Sequence, residues 1–221
     1  MPKSIELARA QLPLRRDAPA DQRAQQIVAA AYDLLAEEGL EGLTIRAVLA
    51  RTGLARRAFY DNFGGKDDLV LAVFAQTLHA AARQLGEWAN AAAAPLERLR
   101  YIVSSIVMGK FGRDETPEGA RDLRGAALSR EHMRLAESHP EELQAALRPL
   151  LGVISGYLSQ GMADGSVRKA DPGRLALLVY NLVSTTVHTE LLAEESGIPD
   201  MARRAALADE LWDFCRRAVI A

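Results

Sequence analysis

The sequence predicts an all-α protein with an N-terminal three-helix domain of helix-turn-helix type and a C-terminal helical bundle. Hydrophobic residues make up 49% of the 221 residues but aromatic residues only 5%, because the chain is rich in alanine. No segment of strand length alternates Val, Ile or Thr with polar residues, whereas many segments repeat apolar residues at the helical period. Two short helix patterns also flank a glycine within residues 44–69.

The N-terminal residues 1–20 contain three prolines and the pair Arg15-Arg16 without any sustained period, which predicts a flexible basic arm. Such an arm either contacts DNA or has no role, and the sequence leaves both readings open. We expect Asp21 to cap the first helix and Gly39 to end it. The apolar positions of that helix follow the 3.6-residue period: Ile27, Ala30, Ala31, Leu34 and Leu35.

The helix-turn-helix is predicted at about 44–63. The Thr44 hydroxyl can cap a helix over 45–52, and Gly53 can supply the left-handed residue that ends it. A second short helix is expected over 55–62. The apolar side chains that would form the core of the pair are Ile45, Val48, Leu49, Leu54, Phe59 and Phe63.

Charge is distributed unevenly along the chain. Residues 44–66 carry five basic side chains and one acidic side chain, a local charge of +4 in a protein whose net charge is −2. The rest of the chain therefore sums to about −6, so only one face should attract phosphate groups.

Further helices are predicted along the remaining chain. Lys66 is expected to open a long helix whose first turn holds Asp67 and Asp68, where the helix dipole favours carboxylates. The helices expected after it cover about 96–111, 120–137, 140–163 with a kink at Pro149, 172–195, and 200 to the C-terminus, with a loop at 112–119.

The last two of these helices have wide apolar faces, which include Leu175, Leu178, Val179, Leu182, Val183, Val187, Leu191, Leu207, Leu211, Phe214 and Val219. We expect that an isolated monomer cannot bury all of them. Pairing with the same two helices of a second chain would resolve this, which predicts a homodimer.

The segment GLARRAFYDNFGGKDDL resembles the end of the DNA-binding signature of TetR/AcrR-type transcriptional regulators, in which a glycine turn leads to a recognition helix. Tyr60, Phe63, Lys66 and Leu69 match that signature at the right spacing. The resemblance is specific from Asp21 to about Thr77 and architectural beyond. The departures from the signature are Ala55 at a usual capping position, Arg57 and Ala58 at usually small positions, and Gly64-Gly65 in place of Pro-Ser.

Six residues are candidates for binding DNA. Arg56 and Arg57 differ by about 100° around a helix, so one is expected to read a guanine in the major groove while the other binds a phosphate. The resemblance implies phosphate contacts for Tyr60 and Lys66 and an anchoring contact for Thr44 at the start of its helix. Arg46 is a weaker candidate.

The resemblance also implies a C-terminal cavity for an effector. Candidate lining residues are Trp88, Tyr101, Met108, Phe111, Met133, Tyr157, Asn181, Thr185 and His188. The last three share one face of a largely apolar helix, as the orienting polar groups of a ligand pocket would. Ordinary core packing is the alternative for the aromatic residues, and a dimer interface is the alternative for the polar trio.

The sequence gives little support for a metalloprotein, a cofactor-binding protein or an enzyme. No Glu-x-x-His pair, phosphate-binding glycine loop or nucleophile elbow occurs, and the four histidines are scattered, so we expect no metal, no cofactor and no enzyme. A single Cys215 suits a reducing compartment, where we expect it to be a small apolar residue of a helix interface. With no signal peptide or membrane-spanning run in the sequence, a cytoplasmic protein is expected.

The sequence therefore predicts a homodimeric, TetR-like regulator with a DNA-binding domain at 21–66 and a ligand-binding and dimerisation domain at 67–221. We expect a repressor that binds a palindromic operator in double-stranded DNA and is released by a small apolar or aromatic effector. The alternatives are a helical-bundle enzyme or small-molecule carrier with a vestigial helix-turn-helix, and a DNA-binding activator without a ligand.

Overall fold

The computed structural model describes residues 18–89, 94–109, 124–194 and 200–221. These ranges form nine α-helices: α1 (Ala18–Gly42), α2 (Ile45–Thr52), α3 (Arg56–Tyr60), α4 (Lys66–Ala89), α5 (Pro95–Met108), α6 (Arg124–Ser138), α7 (Pro140–Asp164), α8 (Pro172–Glu194) and α9 (Met201–Val219). Within the described ranges the β-structure is limited to an isolated bridge between Val167 and Ile220. The all-α prediction is confirmed.

The first helix starts earlier than the sequence suggested. α1 begins at Ala18 rather than after a cap at Asp21. Its helical backbone breaks at Gly39, where φ is 67° and ψ is −161°, and a short helical stretch continues to Gly42. A residue with a side chain would be strained in that conformation, so the sequence located the break correctly through the glycine.

α2 and α3 form the predicted helix-turn-helix. α2 has the predicted bounds and ends at Gly53, whose φ of 69° is left-handed. α3 is shorter than predicted, because Asp61 and Asn62 form a turn in which the Phe63 amide donates to the Phe59 carbonyl at 2.8 Å. Of the apolar side chains expected in this core, three are buried and three are half-buried; the buried ones are Val48, Phe59 and Phe63, and the half-buried ones are Ile45, Leu49 and Leu54.

The C-terminal bundle is organised around α7. α4 and α8 pack along it, α5 packs between α7 and α9, and α6 packs on α8. α7 runs through Pro149 as one helix. α1 packs against both α4 and α6, and the buried side chains form one continuous core from α1 to α9. The N-terminal helices are thus joined to the bundle through α1 and α4.

The apolar faces of α8 and α9 are partly buried and partly exposed in the single chain. Most of their apolar residues are buried within the single chain, among them Leu175, Val179, Val183, Val187, Leu211 and Val219. A single chain therefore buries a majority of these residues, but not all of them, as the sequence analysis expected. Leu178 and Phe214 point outward instead, with 50% and 63% of their surface exposed.

Several expectations fall on parts of the chain that the structure does not describe. These are residues 1–17 of the basic arm, the loop at 112–119, Phe111, and the side chains of Trp88 and Leu191. Among the described helices, none combines the length and the apolar character needed to cross a membrane.

Candidate nucleic-acid interface and interior polar sites

Local hydrogen bonds fix the relative orientation of α2 and α3. Thr44 caps α2, because its hydroxyl oxygen accepts a hydrogen bond from the Ala47 amide at 3.1 Å. The Gly53 amide donates to the Leu49 carbonyl at 3.0 Å and closes the helix. Ala55 stands before α3 without any side-chain cap, so α3 relies on the burial of Phe59 for its position. These contacts hold the outer face of α3 in a fixed orientation relative to α2.

Arg56 and Tyr60 form a pair on the exposed side of α3. The Arg56 guanidinium donates to the Tyr60 hydroxyl at 3.3 Å, and its carbon lies 5.5 Å from the centre of the phenol ring. The Tyr60 ring also meets the buried Phe59 ring edge to face, with 5.3 Å between the ring centres. Arg56 is therefore held close to the helix rather than extended into solvent.

Arg57 projects much further from the protein. Its side chain is 91% exposed, and its nearest ionic partner is Asp61, 3.9 Å away. Such a pair between exposed groups contributes little, so the guanidinium can be reoriented at small cost. Arg57 is thus available for a bidentate contact with an external acceptor.

Lys66, Arg46 and Thr44 flank α3 on the surface. The Lys66 ammonium group donates to the Leu40 carbonyl at 3.2 Å, which joins the start of α4 to the last turn of α1. Arg46 and Thr44 are exposed at the start of α2. The structure keeps all six predicted DNA-binding residues within the α2–α3–α4 segment and at its surface.

Arg51 belongs to the local positive charge but has a structural partner. Its guanidinium donates two hydrogen bonds to the Glu37 carboxylate, at 2.8 and 2.6 Å, and so joins α2 to α1. The hydrogen bonds from Arg51 lower the pKa of Glu37. The charge available to an external anion is therefore smaller than the sequence count implies.

The described candidates for the effector site differ in their exposure. Tyr157 is buried and donates its hydroxyl proton to the Leu85 carbonyl at 2.9 Å, while Met108 is half-buried and Tyr101 and Met133 are exposed. On α8, Asn181 and Thr185 are exposed. Only His188 of that trio faces the interior, where its Nδ1 lies 3.3 Å from the Ser129 hydroxyl. Asn181, Thr185 and His188 therefore do not all face the interior of the single chain.

Two polar clusters were missed by the sequence reasoning. One joins α6 to α8 through the His132–Tyr180 and Ser129–His188 contacts, and the other joins α6 to α4 through Arg134 and Asp67. The sequence does show that Ser129 and His132 are spaced to lie on one side of α6. It does not show their partners, because these are remote in sequence. Among the described residues, no group of three or more His, Cys, Asp or Glu side chains could hold a metal ion.

A capped helix-turn-helix that exposes basic side chains, followed by a helical bundle, defines the class of helix-turn-helix transcription regulators. Residues 27–73 match the family model described as bacterial regulatory proteins, tetR family. This match and the fold support a TetR-family transcription regulator, with the family resemblance carried by the DNA-binding segment.

Similar proteins agree with this assignment. The chain is 21% identical over 175 residues to the fatty acid metabolism regulator protein of Bacillus subtilis strain 168, an alignment that covers 77% of this chain and 84% of that protein. The fold resembles that of the regulator FadR from Bacillus subtilis in complex with stearoyl-CoA, with 19% identity, a TM-score of 0.65, and coverage of 86% and 96% of the two chains. A TetR-family regulator from Pectobacterium atrosepticum has 19% identity and a TM-score of 0.70, with 94% and 98% covered.

Proposed function

We propose that this protein is a dimeric, ligand-responsive repressor that binds a palindromic DNA operator and is released by a small apolar effector. The observation that carries the proposal is the exposed Arg57 side chain on a helix-turn-helix whose frame is fixed by a capping threonine, a left-handed glycine and buried Phe59. An arginine presented on such a frame suits hydrogen bonding to guanine in the major groove.

The two arginines of α3 would have different roles. Arg57 extends into solvent and would read a base, whereas Arg56 is held against Tyr60 and would bind a phosphate together with that hydroxyl. Lys66 lies at the start of α4 and would bind a second phosphate. Its ammonium group donates one hydrogen bond to the Leu40 carbonyl, so two of its three N–H donors remain for a phosphate. Thr44 and Arg46, at the start of α2, would anchor the other side of the groove.

The boundary between the two functional domains would fall at the start of α4, with residues 21–66 binding DNA and residues 67–221 binding the effector and the second chain. α4 runs from this boundary into the bundle, and α1 packs on both α4 and α6. An effector that prefers one arrangement of α4 and α6 would therefore change the position of the DNA-binding helices.

The dimer would form through α8 and α9. Leu178 and Phe214 are large apolar residues on the outer faces of these two helices, and Asn181 and Thr185 are also exposed on α8. A second copy of the same surface would cover the apolar side chains and leave the polar ones at the edge.

The effector would be apolar or aromatic. The regulator FadR from Bacillus subtilis, whose fold is similar, was solved in complex with stearoyl-CoA, a molecule with a long apolar chain. This likeness of fold supports the class of effector without identifying it.

The test begins with selection of DNA fragments by the purified full-length protein, followed by sequencing and by binding measurements over a salt series. We expect an approximately palindromic site, and a log affinity that falls linearly with log salt. A compound library is then titrated into the protein–DNA complex. A helical-bundle enzyme or carrier with a vestigial motif would select no common sequence, and an activator without a ligand would select one but respond to no compound.

A further inference from the structure

The outer surface of α3 carries two rows of side chains. Arg56 and Tyr60 form the first row, in which the guanidinium donates to the phenol hydroxyl at 3.3 Å. Arg57 and Asp61 form the second row, in which Nε of the guanidinium lies 3.9 Å from Oδ2 of the carboxylate. Residues four positions apart lie on one side of a helix, and adjacent residues differ by about 100°. The two rows therefore face different parts of a bound duplex.

Asp61 is the acidic member of an otherwise basic surface. It is the only Asp or Glu among residues 44–66, which contain five Arg and Lys side chains. Its side chain is 59% exposed. A DNA phosphate would repel a carboxylate, so on a surface that binds DNA this side chain suits the hydrogen-bond donors of a base edge.

The protein gives the Asp61 carboxylate no strong partner of its own. Among the residues that the structure describes, this carboxylate accepts no hydrogen bond, and its contact with Arg57 is longer than a hydrogen bond. Asp61 stands at the C-terminal end of α3, where its amide donates to the Arg57 carbonyl at 2.9 Å. A carboxylate at this end of a helix gains nothing from the helix dipole. The stability of α3 therefore does not account for an acid at this position.

We propose that Asp61 determines sequence specificity by accepting a hydrogen bond from the exocyclic amine of a cytosine in the major groove, near the guanine that Arg57 binds. This role rests on the proposed function and specifies part of the operator sequence. Cytosine and adenine both present an amine in the major groove, but the amine of adenine lies beside the acceptor N7. A carboxylate has only acceptors, so it favours cytosine.

The spacing of Arg57 and Asp61 limits where the cytosine lies. Four residues of an α-helix rise by about 6 Å, and successive base pairs are about 3.4 Å apart. With α3 along the groove, the cytosine is expected within about two base pairs of the guanine. The exposed contact between the two side chains contributes little, so both can turn to bases at small cost.

The first test is selection and sequencing of DNA fragments by full-length wild type and by Asp61→Ala and Asp61→Asn. Arg57→Ala locates the guanine, and wild type should prefer a second G·C pair within about two base pairs of it. Asp61→Ala should lose about tenfold in preference at this second pair and keep the others. Asp61→Asn should shift that preference towards adenine, because an amide can accept from N6 and donate to N7.

Two outcomes of the selection would overturn the proposal. One is that both Asp61 variants keep the base preferences of wild type at every position. The other is a change confined to the guanine that Arg57 binds, since Asp61 would then only orient that arginine.

The second test removes the amine from the DNA. A duplex with 2-pyrimidinone in place of the selected cytosine lacks only the exocyclic amine. Fluorescence anisotropy should show that wild type binds this duplex about tenfold more weakly than the normal one, whereas Asp61→Ala binds both equally. An equal loss in both proteins contradicts the proposal, because the altered duplex and not a lost hydrogen bond would then explain it.

Glu41→Gln is the matched control. Glu41 is an exposed acid at the end of α1, and its replacement changes the charge of the same domain by the same amount as Asp61→Asn. This variant should bind all sequences somewhat more tightly and keep the base preferences of wild type. If it changes the preferences as Asp61→Asn does, net charge and not a base contact explains the effect. Circular dichroism verifies that the variants are folded, which we expect because Asp61 is exposed.

The result for wild type is separate from the result for the variants. If wild type selects no common sequence, the proposed function fails, and the role of Asp61 fails with it. If wild type selects a palindrome whose base preferences survive in both Asp61 variants, only the role of Asp61 fails.

Discussion

Arg134 binds Asp67 through two parallel hydrogen bonds of 2.9 and 3.1 Å, and this contact ties the middle of α6 to the first turn of α4. The same guanidinium forms an ion pair of 2.6 Å with Glu131, whose surface is only 4% exposed. The hydrogen bonds that Arg134 donates to Glu131 and then to Asp67 raise the pKa of its guanidinium. One cation therefore stabilises a buried carboxylate and joins the two helices at the boundary of the proposed domains.

Replacement of Arg134 by glutamine should destabilise the protein, because Glu131 would lose its charged partner. We expect the free energy of unfolding to fall by about 1–3 kcal/mol, limited by the ability of Glu131 to take up a proton. Urea unfolding followed by circular dichroism measures this change. Arg148→Gln removes an exposed charge from α7 and should be neutral, so an equal loss in both variants would contradict the role of Arg134.

The same contact should influence the coupling between the domains. Asp67→Asn leaves the Arg134–Glu131 pair intact but weakens the bond to α4. We expect this variant to fold, to bind operator DNA, and to need a different effector concentration for half-release. Fluorescence anisotropy of a labelled operator measures that concentration. An unchanged value would show that the Asp67 contact is only structural.

Substitutions in α3 should separate the two proposed modes of DNA binding. Arg57→Ala should reduce discrimination between the selected site and a mismatched site by about 1–3 kcal/mol. Arg56→Ala, Tyr60→Phe and Lys66→Ala should weaken both sites alike, and Lys66→Ala should reduce the salt slope by about one for each phosphate that its ammonium group neutralises in the wild-type complex. Arg148→Ala is the control for removal of a remote charge. Wild-type affinity and slope in all four α3 and α4 variants would refute the assignment of α3.

Charge on the outer faces of α8 and α9 should separate the proposed dimer without unfolding the chain. Phe214→Glu and Leu178→Glu place a carboxylate on a surface that is exposed in the single chain, so we expect folded monomers. Light scattering gives the mass, and circular dichroism gives the helix content. Gln144→Glu is the surface control, whereas Leu211→Glu should unfold the protein because Leu211 lies in the core of one chain. A monomeric wild type would refute the dimer.

Acid should destabilise the protein through His132. Burial and the charge of His188 lower the pKa of His132 below its ordinary value of 6.5, so the unfolded chain binds this proton more readily than the folded chain. Stability should therefore fall as the pH falls from about 7.5 to about 5.5. Thermal unfolding at several pH values measures the trend. His132→Asn should flatten it and His79→Asn should not.

Cys215 should be protected from thiol reagents. Burial raises the pKa of this thiol to about 11, and only 1% of the residue is exposed. Because the thiolate is the reactive form, we expect native protein to react slowly with a disulfide reagent near pH 8 and urea-unfolded protein to react at once. Fast reaction of the native protein would contradict the burial of Cys215.

The positions of several helices could be predicted because their boundaries depend on neighbouring residues. Thr44 caps an amide three residues away, and Gly53 closes the same helix with a left-handed backbone. Such interactions are complete within one turn, so the sequence pattern contains all of their partners. α1 was misplaced at its start because Asp21 looked like a cap but lies inside the helix.

The candidate DNA-binding residues could be predicted from a motif, but their individual states could not. In the sequence, Arg51, Arg56 and Arg57 are equivalent charges. In the folded chain, Arg51 binds the Glu37 carboxylate, which lies 14 positions earlier in the sequence. Arg56 contacts Tyr60 on the same helix, so Arg57 remains as the extended side chain. The Arg51–Glu37 contact arises from packing between α2 and α1, and the Arg56–Tyr60 contact spans one turn of α3, so counting charges gives no information on either.

By itself, the sequence determined the helical class, the helix-turn-helix and the resemblance to the tetR family, because capping residues, helical periodicity and a short motif are local. Tertiary structure alone decided which side chains meet in the bundle. Arg134 and Asp67 are 67 positions apart, and His132 and Tyr180 are 48 positions apart. Contacts over such separations depend on the rotation and crossing of packed helices, which follow from the whole core rather than from any local pattern.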